Sequence, residues 1–411
     1  MMKLICAALM AASVLIAGTV HAEEKPPLRL AFIDPLSGAF AANPINALAQ
    51  IRFDVARINK EGGINGHKVE VVAFDNNMDP QKSLTDLNKA INDGIHYVIQ
   101  GSSSAVASAL LNAINKHNER SPDSRVLYLN RVAQDPAFTN ERCSFWHFRF
   151  DDNTAMKVKL LTSWIEHKND MKKVFLINQD YSYGHAVSEA ARKMLKEKRP
   201  DIEIVGDSYV PISKVKDFTP YVIKIKASGA DVVITSNWGQ DMTLLTKAAS
   251  SAGLNTPFLT LYGNAPGMVE AVGKKGVGSI YAMSDLSGDF DNPEMAERRV
   301  AMYQQTGQEL TYVRISDMMM LLKMAMEKAD SIDPTKVAFA LEGLQYDSPT
   351  GRVVMRASDH QIQLPMFMSV LSDNMKHGIG DTGLNFHAIE KFSAQDGEMP
   401  TTCHMKRPKH P

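Results

Sequence analysis

The sequence predicts an α/β protein of two lobes, each a parallel sheet with helices on both faces. Three observations carry that expectation. Short β-branched runs alternate with helical periodicity from residue 28 onward. The alternation comes in two sets, each the size of one open α/β lobe. The chain then turns helix-rich over residues 293–341 and strand-rich from residue 348. Strand–helix repetition implies parallel strands, because each parallel pair needs a long crossover that a helix supplies. Two domains in simple tandem would not produce the last pattern; two lobes joined by several passages of the chain would.

Residues 28–33 read as the first strand. Ile45, Leu48, Ile51, Val55 and Ile58 recur at spacings of three and four, a helix with one buried face. Gly62-Gly63-Ile64-Asn65-Gly66 turns the chain into a second strand over 68–74. Asp79-Pro80 supplies an N-cap and a first-turn proline for a helix that buries Leu84, Leu87 and Ile91. A strand at 97–99 then leads into a helix over 102–115. The second set shows strands at 174–177, 202–205 and 232–235, with a helix over 217–228 stopped by Gly229. Met318, Met319, Met320, Met324 and Met326 form a stripe expected to be core packing rather than a binding surface. Strands at 352–355 and 367–371 close the pattern.

Composition sets outer limits. Across 411 residues, 44% hydrophobic and 22% charged content excludes a disordered chain. Lys and Arg number 45 against 46 Asp and Glu, so the basic excess expected of a nucleic-acid binder is missing. Lys3, an apolar run over 4–20 and Val20-His21-Ala22 before Glu23-Glu24-Lys25 read as a secretory signal peptide spanning residues 1–22. A membrane anchor is the competing reading, but the run is short against the roughly 20 apolar residues a span needs. Cys6 lies too near the N-terminus for lipid attachment. Export leaves Cys143 and Cys403, and two thiols in an oxidising compartment tend to pair. Such a bridge would staple the polar C-terminal tail to the body; two free, buried thiols are the alternative.

No phosphate loop, dinucleotide fingerprint, His-Glu-x-x-His or clustered Cys/His set is present. His147, in the alternating Phe145-Trp146-His147-Phe148 run, reads as structural. Gly101-Ser102-Ser103-Ser104-Ala105 lies between a strand and a helix, as a hydrolase nucleophile does, but that motif needs Gly where Ala105 stands. The same geometry suits a carboxylate, bound by serine hydroxyls and free N–H groups at a helix start; simple capping by Ser102 is the plainer reading. Tyr181 and Tyr183, Trp238, and Tyr262 each stand beside Gly after a strand, as the wall of an apolar pocket would.

In order and spacing, five segments resemble the Leu/Ile/Val-binding type of periplasmic solute-binding protein that feeds ABC importers. They are Asp34-Pro35-Leu36-Ser37-Gly38, the 62–66 turn, the 101–104 turn, 181–184 and Asn237-Trp238-Gly239. Cys143-Ser144-Phe145-Trp146 and residues 355–361 are similar to a proteobacterial branch of it. The resemblance implies the type I two-lobe fold with three hinge crossings and one ligand in the cleft. It implies an N-terminal lobe of 23–149 plus 285–347 and a C-terminal lobe of 150–284 plus 348–411. Ser102, Ser103 and Ser104 would meet the ligand carboxylate, with Ala133 and Gln134 beside it and Tyr181, Tyr183 and Trp238 closing from the second lobe. Ser37, Phe40 and Tyr262 complete the expected ligand set. Gln134 replaces the family's usual Thr, and no carboxylate stands near Tyr262 to hold an α-ammonium. An aromatic or otherwise apolar carboxylate, or a branched-chain amino acid, is the expected ligand. The resemblance further implies a periplasmic monomer without cofactor, metal or catalysis, docking on an integral-membrane permease. A secreted serine hydrolase and a ligand sensor on the same fold are the alternatives.

Overall fold

A computed structural model of the chain describes residues 25–290 and 292–410, so the expected signal segment 1–22 lies outside the described residues. The first unit runs β1 (Leu28–Asp34), α1 (Ala42–Lys60), β2 (Val69–Asp75), α2 (Pro80–Asn92), β3 (Tyr97–Gln100), α3 (Ser104–Arg120), β4 (Leu127–Asn130) and β5 (His147–Arg149). The second runs α4 (Thr154–Glu166), β6 (Lys173–Gln179), α5 (Ser182–Lys198), β7 (Glu203–Val210), α6 (Thr219–Ser228) and β8 (Val232–Thr235). It continues through α7 (Gly239–Ser251), β9 (Phe258–Thr260), α8 (Met268–Val272) and β10 (Ile280–Ser284). Then come α9 (Pro293–Thr306), α10 (Val313–Ala329), α11 (Pro334–Leu341), β11 (Gln345–Ser348), β12 (Gly351–Met355), β13 (Ile362–Gln363), β14 (Met366–Ser372) and β15 (Asn385–Phe392).

Two main sheets result, as the alternation predicts. One has the order β2-β1-β3-β4-β5 and is parallel throughout. The other has the order β15-β14-β10-β9-β8-β6-β7, parallel from β10 to β7 with β14 and β15 antiparallel at one edge. In each, the strand order reverses beside the unit's first strand, between β1 and β3 and between β6 and β8. Such a switch point opens a crevice outside the carboxyl ends of the strands.

Local chemistry sets the element ends. The Asp79 carboxylate accepts the Lys82 N–H at 2.6 Å and Pro80 opens α2. Gly229 ends α6 with a left-handed φ of 65°. Helix α3 begins two residues later than the periodicity suggested. Ser103 takes a φ of 86° and its hydroxyl caps the Val106 N–H at 3.4 Å, so Ser103 and not Ser102 is the cap.

Helices α9 to α11 return to the first unit. Asp54 of α1 accepts from Arg298 of α9 at 2.8 Å and from Ser316 of α10 at 2.7 Å. Met318, Met319 and Met326 are fully buried core, while Met320 and Met324 of the same stripe are half-buried. His147 is buried as well, and burial together with the Arg149 and His360 charges holds its imidazole well below the ordinary range.

The chain passes between the units after β5, after β10 and after β13. Strands β11, β12 and β13 form a separate small sheet whose far end touches β5: the Arg149 N–H donates to the His360 carbonyl at 2.9 Å, and His360 stacks on Phe148. After β15 the tail comes back to the first unit, where Thr401 donates to the Thr139 carbonyl at 2.6 Å and Cys403 is bonded to Cys143. Among the described residues no helix is long and apolar enough to cross a membrane.

The bridge spans 260 residues of sequence. Loop closure of that length predicts that replacing both cysteines with serine costs roughly 2–5 kcal/mol, read as a lower urea midpoint than the oxidised wild type. A second expectation concerns Asp317 on α10. Burial raises its carboxyl from 3.8 to about 8, with the Asp285 and Asp54 charges adding to burial and Ser348 and Arg298 opposing it. The stability contributed by its proton is complete below 3.8 and lost as the pH rises through about 8. Asp317→Asn should therefore flatten the decline in urea midpoint between about pH 5 and about pH 8.

Candidate functional site

The two switch points face each other across one cavity. From the first unit it takes Phe40 after β1, the Gly101–Ser104 turn after β3, and Val132, Ala133 and Gln134 after β4. From the second it takes Tyr181 and Tyr183 after β6, Trp238 after β8, and Tyr262 after β9. All the expected ligand residues meet there except one. Ser37 is exposed and bonds the Asn77 side chain at 3.0 Å, because the Leu36 N–H is tied to the Asp75 carboxylate at the end of β2, which pulls that turn outward.

A buried carboxylate builds the serine turn. Asp34, at the end of β1, accepts the Ser102 N–H at 2.9 Å, the Gln100 side-chain amide at 3.3 Å and the Arg131 Nε at 2.7 Å. Arg131 in turn donates to the Ser102 hydroxyl at 2.7 Å and to the Asn43 side-chain Oδ1 at 3.0 Å. The Ser102 N–H is thus occupied within the protein. The Ser102 oxygen accepts from a cation, which turns its own proton outward as a donor. A side chain at Gly101 would strike Arg131 and Val132, at 2.5 and 2.6 Å, so the turn needs glycine. Neither Ser102 nor Ser103 has an imidazole partner: Arg131 and the Val106 N–H take those places. That arrangement lacks the base a nucleophilic serine requires.

The opposite wall is aromatic. Trp238 lies 4.4 Å from Phe40 between ring centroids, a contact that joins the two units directly. Its indole N–H donates to the Tyr181 hydroxyl at 3.0 Å, and Tyr183 lies between Tyr181 and Tyr262. Gly239 has a φ of 59° and a Cβ there would sit 2.5 Å from Phe40. Burial raises the Tyr181, Tyr183 and Tyr262 hydroxyls, so all three keep their protons at neutral pH. The Tyr183 oxygen is buried without a well-formed hydrogen bond, although the Ser236 and Tyr262 side chains lie near it. The free interior is about 50 Å³.

Behind the cavity, at the passages between units, charges are sealed from water. Asp151 meets Lys157 of α4 at 3.0 Å and Arg314 of α10 at 3.4 Å, and Arg314 also pairs with Asp285 of the second passage. Burial works against the Arg314 charge, but Asp151 and Asp285 outweigh it and hold the guanidinium cationic. Burial, then the neighbouring Asp151 charge, pushes the Asp152 carboxyl well up. Gln361, beside the third passage, donates to the Asp151 carbonyl at 2.8 Å. Arg131, Asp151, Lys157 and Arg314 carry no sequence signal for this: a charged residue reads the same in a dry network as on a surface. Asn43, Val132, Ala265 and Pro266 also line the cavity and were not anticipated. Among the described residues no three His, Cys, Asp or Glu side chains gather as a metal site.

A family model described as periplasmic binding protein matches residues 27–376, most of the chain. The chain belongs to the periplasmic binding protein family. This periplasmic binding protein is 32% identical over 410 residues to the Leu/Ile/Val-binding protein homolog 4 of Brucella abortus (strain 2308), covering 97% of each. Its fold matches the closed crystal structure of the leucine-, isoleucine-, valine-, threonine-, and alanine-binding protein from Brucella ovis. The TM-score is 0.85 at 31% identity, over 93% of this chain and 100% of that one. A Rhodopseudomonas palustris HaA2 ABC-transporter solute-binding protein in complex with p-hydroxybenzoic acid shares the fold at 21% identity, with a TM-score of 0.77 over 90% of this chain and 98% of that one. The two facing sheets are thus the type I periplasmic binding protein fold, and the molecule is a solute-binding protein of the ABC-transporter kind rather than an enzyme.

Removing Asp34 tests the architecture of the serine turn. Asp34→Ala leaves Arg131 buried without its carboxylate, which should cost about 3–5 kcal/mol in urea unfolding. Asp34→Asn, which can still accept the Ser102 N–H, should lose less.

Proposed function

We propose that this protein is the periplasmic receptor of an ABC importer, released from a signal peptide at residues 1–22, and that it binds a small apolar carboxylate between its lobes. One observation carries the ligand class: a donor-bearing serine turn on one lobe faces a wall of Tyr181, Tyr183, Trp238 and Tyr262 on the other, around a single cavity. The serine turn offers hydroxyl protons and the start of α3 to a carboxylate. The aromatic wall offers apolar area to the remainder of the ligand. The names of the relatives span both halves of that class, branched-chain amino acids and a hydroxybenzoate.

In this reading the lobes are 23–149 with 285–347 and 150–284 with 348–411, with one adjustment. The hydrogen bonds of His360 and the bridge of Gln361 to Arg149 favour moving the last boundary from 348 to 364, with the tail beyond 398 returning to the first lobe. The ligand meets the first lobe, and Phe40–Trp238 contact completes closure. A ligand drives closure only by binding the closed form more tightly than the open one. The closed form, as a monomer, then docks on a membrane permease.

Thermal unfolding with a ligand panel tests this. Leucine, valine, benzoate and 4-hydroxybenzoate should include at least one compound that raises the unfolding temperature, and its amide counterpart should not. Stabilisation by sugars or by amides instead would exclude the carboxylate site. Trp238→Ala should weaken the best ligand by about tenfold or more, since it removes both the wall and its contact with Phe40.

A further inference from the structure

A second cavity, of about 340 Å³, lies where the chain crosses back to the first unit after β10. One wall is a face of α9, carrying Arg299, Val300 and Tyr303, with Glu309 just beyond the helix. The other is the loop between β14 and β15 of the second sheet, with Ile379, Gly380 and Asp381. Glu309 Oε1 accepts the Gly380 N–H at 3.1 Å across the gap. The turn after β9 divides this cavity from the cleft: Tyr262 and Ala265 line the cleft, and Asn264 between them lines the second cavity. Among the described residues none lines both.

Donors around this cavity are already spent. Arg299 gives its two Nη groups to the Ser287 and Gly288 carbonyls at 2.6 and 2.8 Å, and its charge faces Glu309 and Asp289. Asn385 Nδ2 donates to the His377 carbonyl at 3.0 Å, and the Thr311 hydroxyl to the Glu309 carbonyl at 3.4 Å. Acceptors are left over. Asn264 is only 8% exposed, and its Nδ2 donates to the Ser284 hydroxyl oxygen at 2.7 Å. The Ser284 proton goes to the Asp285 carboxylate at 3.5 Å, so the Asn264 amide must meet Ser284 through its NH2 group. Asn264 Oδ1 then turns away, and it is buried with no partner within the protein. The Glu309 and Asp381 carboxylates stand on either wall, while His377 and Gln304 can serve in either sense. Apolar surface is left over as well. Of the five large hydrophobic side chains exposed among the described residues, two, Val300 at 54% and Tyr303 at 48%, stand on this wall.

We propose that this cavity is a second ligand site, that it takes a small primary ammonium compound with an apolar body, and that filling it favours the closed arrangement of the lobes. An ammonium carries three donors and no acceptor, which suits Asn264 Oδ1 and the two carboxylates, and the Tyr303 ring adds a face that attracts a cation. The apolar body covers Val300 and its neighbours. An occupant that touches both walls is fully bound only while the walls face each other. It therefore adds to whatever closes the cleft, and a cleft ligand must strengthen its binding in return. The effect on closure rests on the reading of the molecule as a receptor that closes on a ligand; the site does not.

Calorimetric titration of the disulfide-bonded protein with 3-methylbutylamine tests the site, against 3-methylbutan-1-ol and 3-methylbutanoate, which keep the carbon skeleton. The amine should bind once per chain and about tenfold or more tightly than either. Asn264→Ala should weaken it about tenfold. Tyr303→Lys, at an exposed position, sets a competing cation on the wall and should abolish binding. With a saturating amount of whichever carboxylate of the thermal panel raises the unfolding temperature, the amine should bind about fivefold more tightly or better. No binding of the amine, equal binding of the alcohol or the acid, or binding that survives Tyr303→Lys overturns the site. Amine binding indifferent to a stabilising carboxylate overturns its part in closure. Should no carboxylate of that panel stabilise the protein, the reading of the cleft falls, while the amine titration and Tyr303→Lys still decide the second site.

Discussion

An ionised group sealed from water must be met by partners, and in this molecule that constraint fixes the geometry of both lobes where they approach each other. Asp34 has no water to solvate it, so it gathers the Ser102 N–H, the Gln100 amide and Arg131 around itself. The serine turn owes its shape to that gathering more than to any preference of its own. Ser103 is held at a positive φ that a non-glycine residue seldom adopts, which the surrounding bonds must sustain. The same requirement operates at the passages, where Asp151 and Asp285 share Arg314. Loss of any one member would strand the others.

The Asp34 cluster shapes the serine turn, and the Asp151 cluster holds the Gln134 side chain beside it. Neither lends a net charge to the cavity surface, since each cation is matched by carboxylates behind the wall. Lys157 extends the coupling across the cleft: its ammonium pairs with Asp151 and lies 5.2 Å from the centre of the Tyr262 ring. A passage between lobes and both walls of the cavity therefore share one set of charges, so a shift of one is felt by the others.

Much of this was legible in sequence wherever the signal is local. Leu84, Leu87 and Ile91 recur at spacings of three and four that suit a helix and not a strand, Asp79-Pro80 marks its start, and the aromatic–glycine junctions mark strand ends in the second lobe. Those ends converge because parallel strands all finish on one side of a sheet. Ser37 lies outside the cavity: its motif fixes the turn but not the direction in which Asp75 draws it. The Asp34–Arg131 pair is 97 residues apart in sequence, and no periodicity reports that a distant cation will be buried beside a strand end. The small sheet of β11 to β13 reads locally as ordinary alternation. Its attachment to the edge of β5 through His360 and Arg149 depends on contacts between residues far apart in sequence.

The bond between Cys143 and Cys403 has a topological consequence. It joins a point just before β5 to a point just after the last strand, so every element of the second sheet lies inside one covalent ring. The strands β1 to β4 stand outside that ring, attached to it by a single length of chain. Were the second sheet to melt or swing, the two ends of that ring would stay joined at the surface of the first unit. Any opening of the cleft would then be the motion of a loop with both ends anchored, in which the tail forms a fourth strap alongside the three passages.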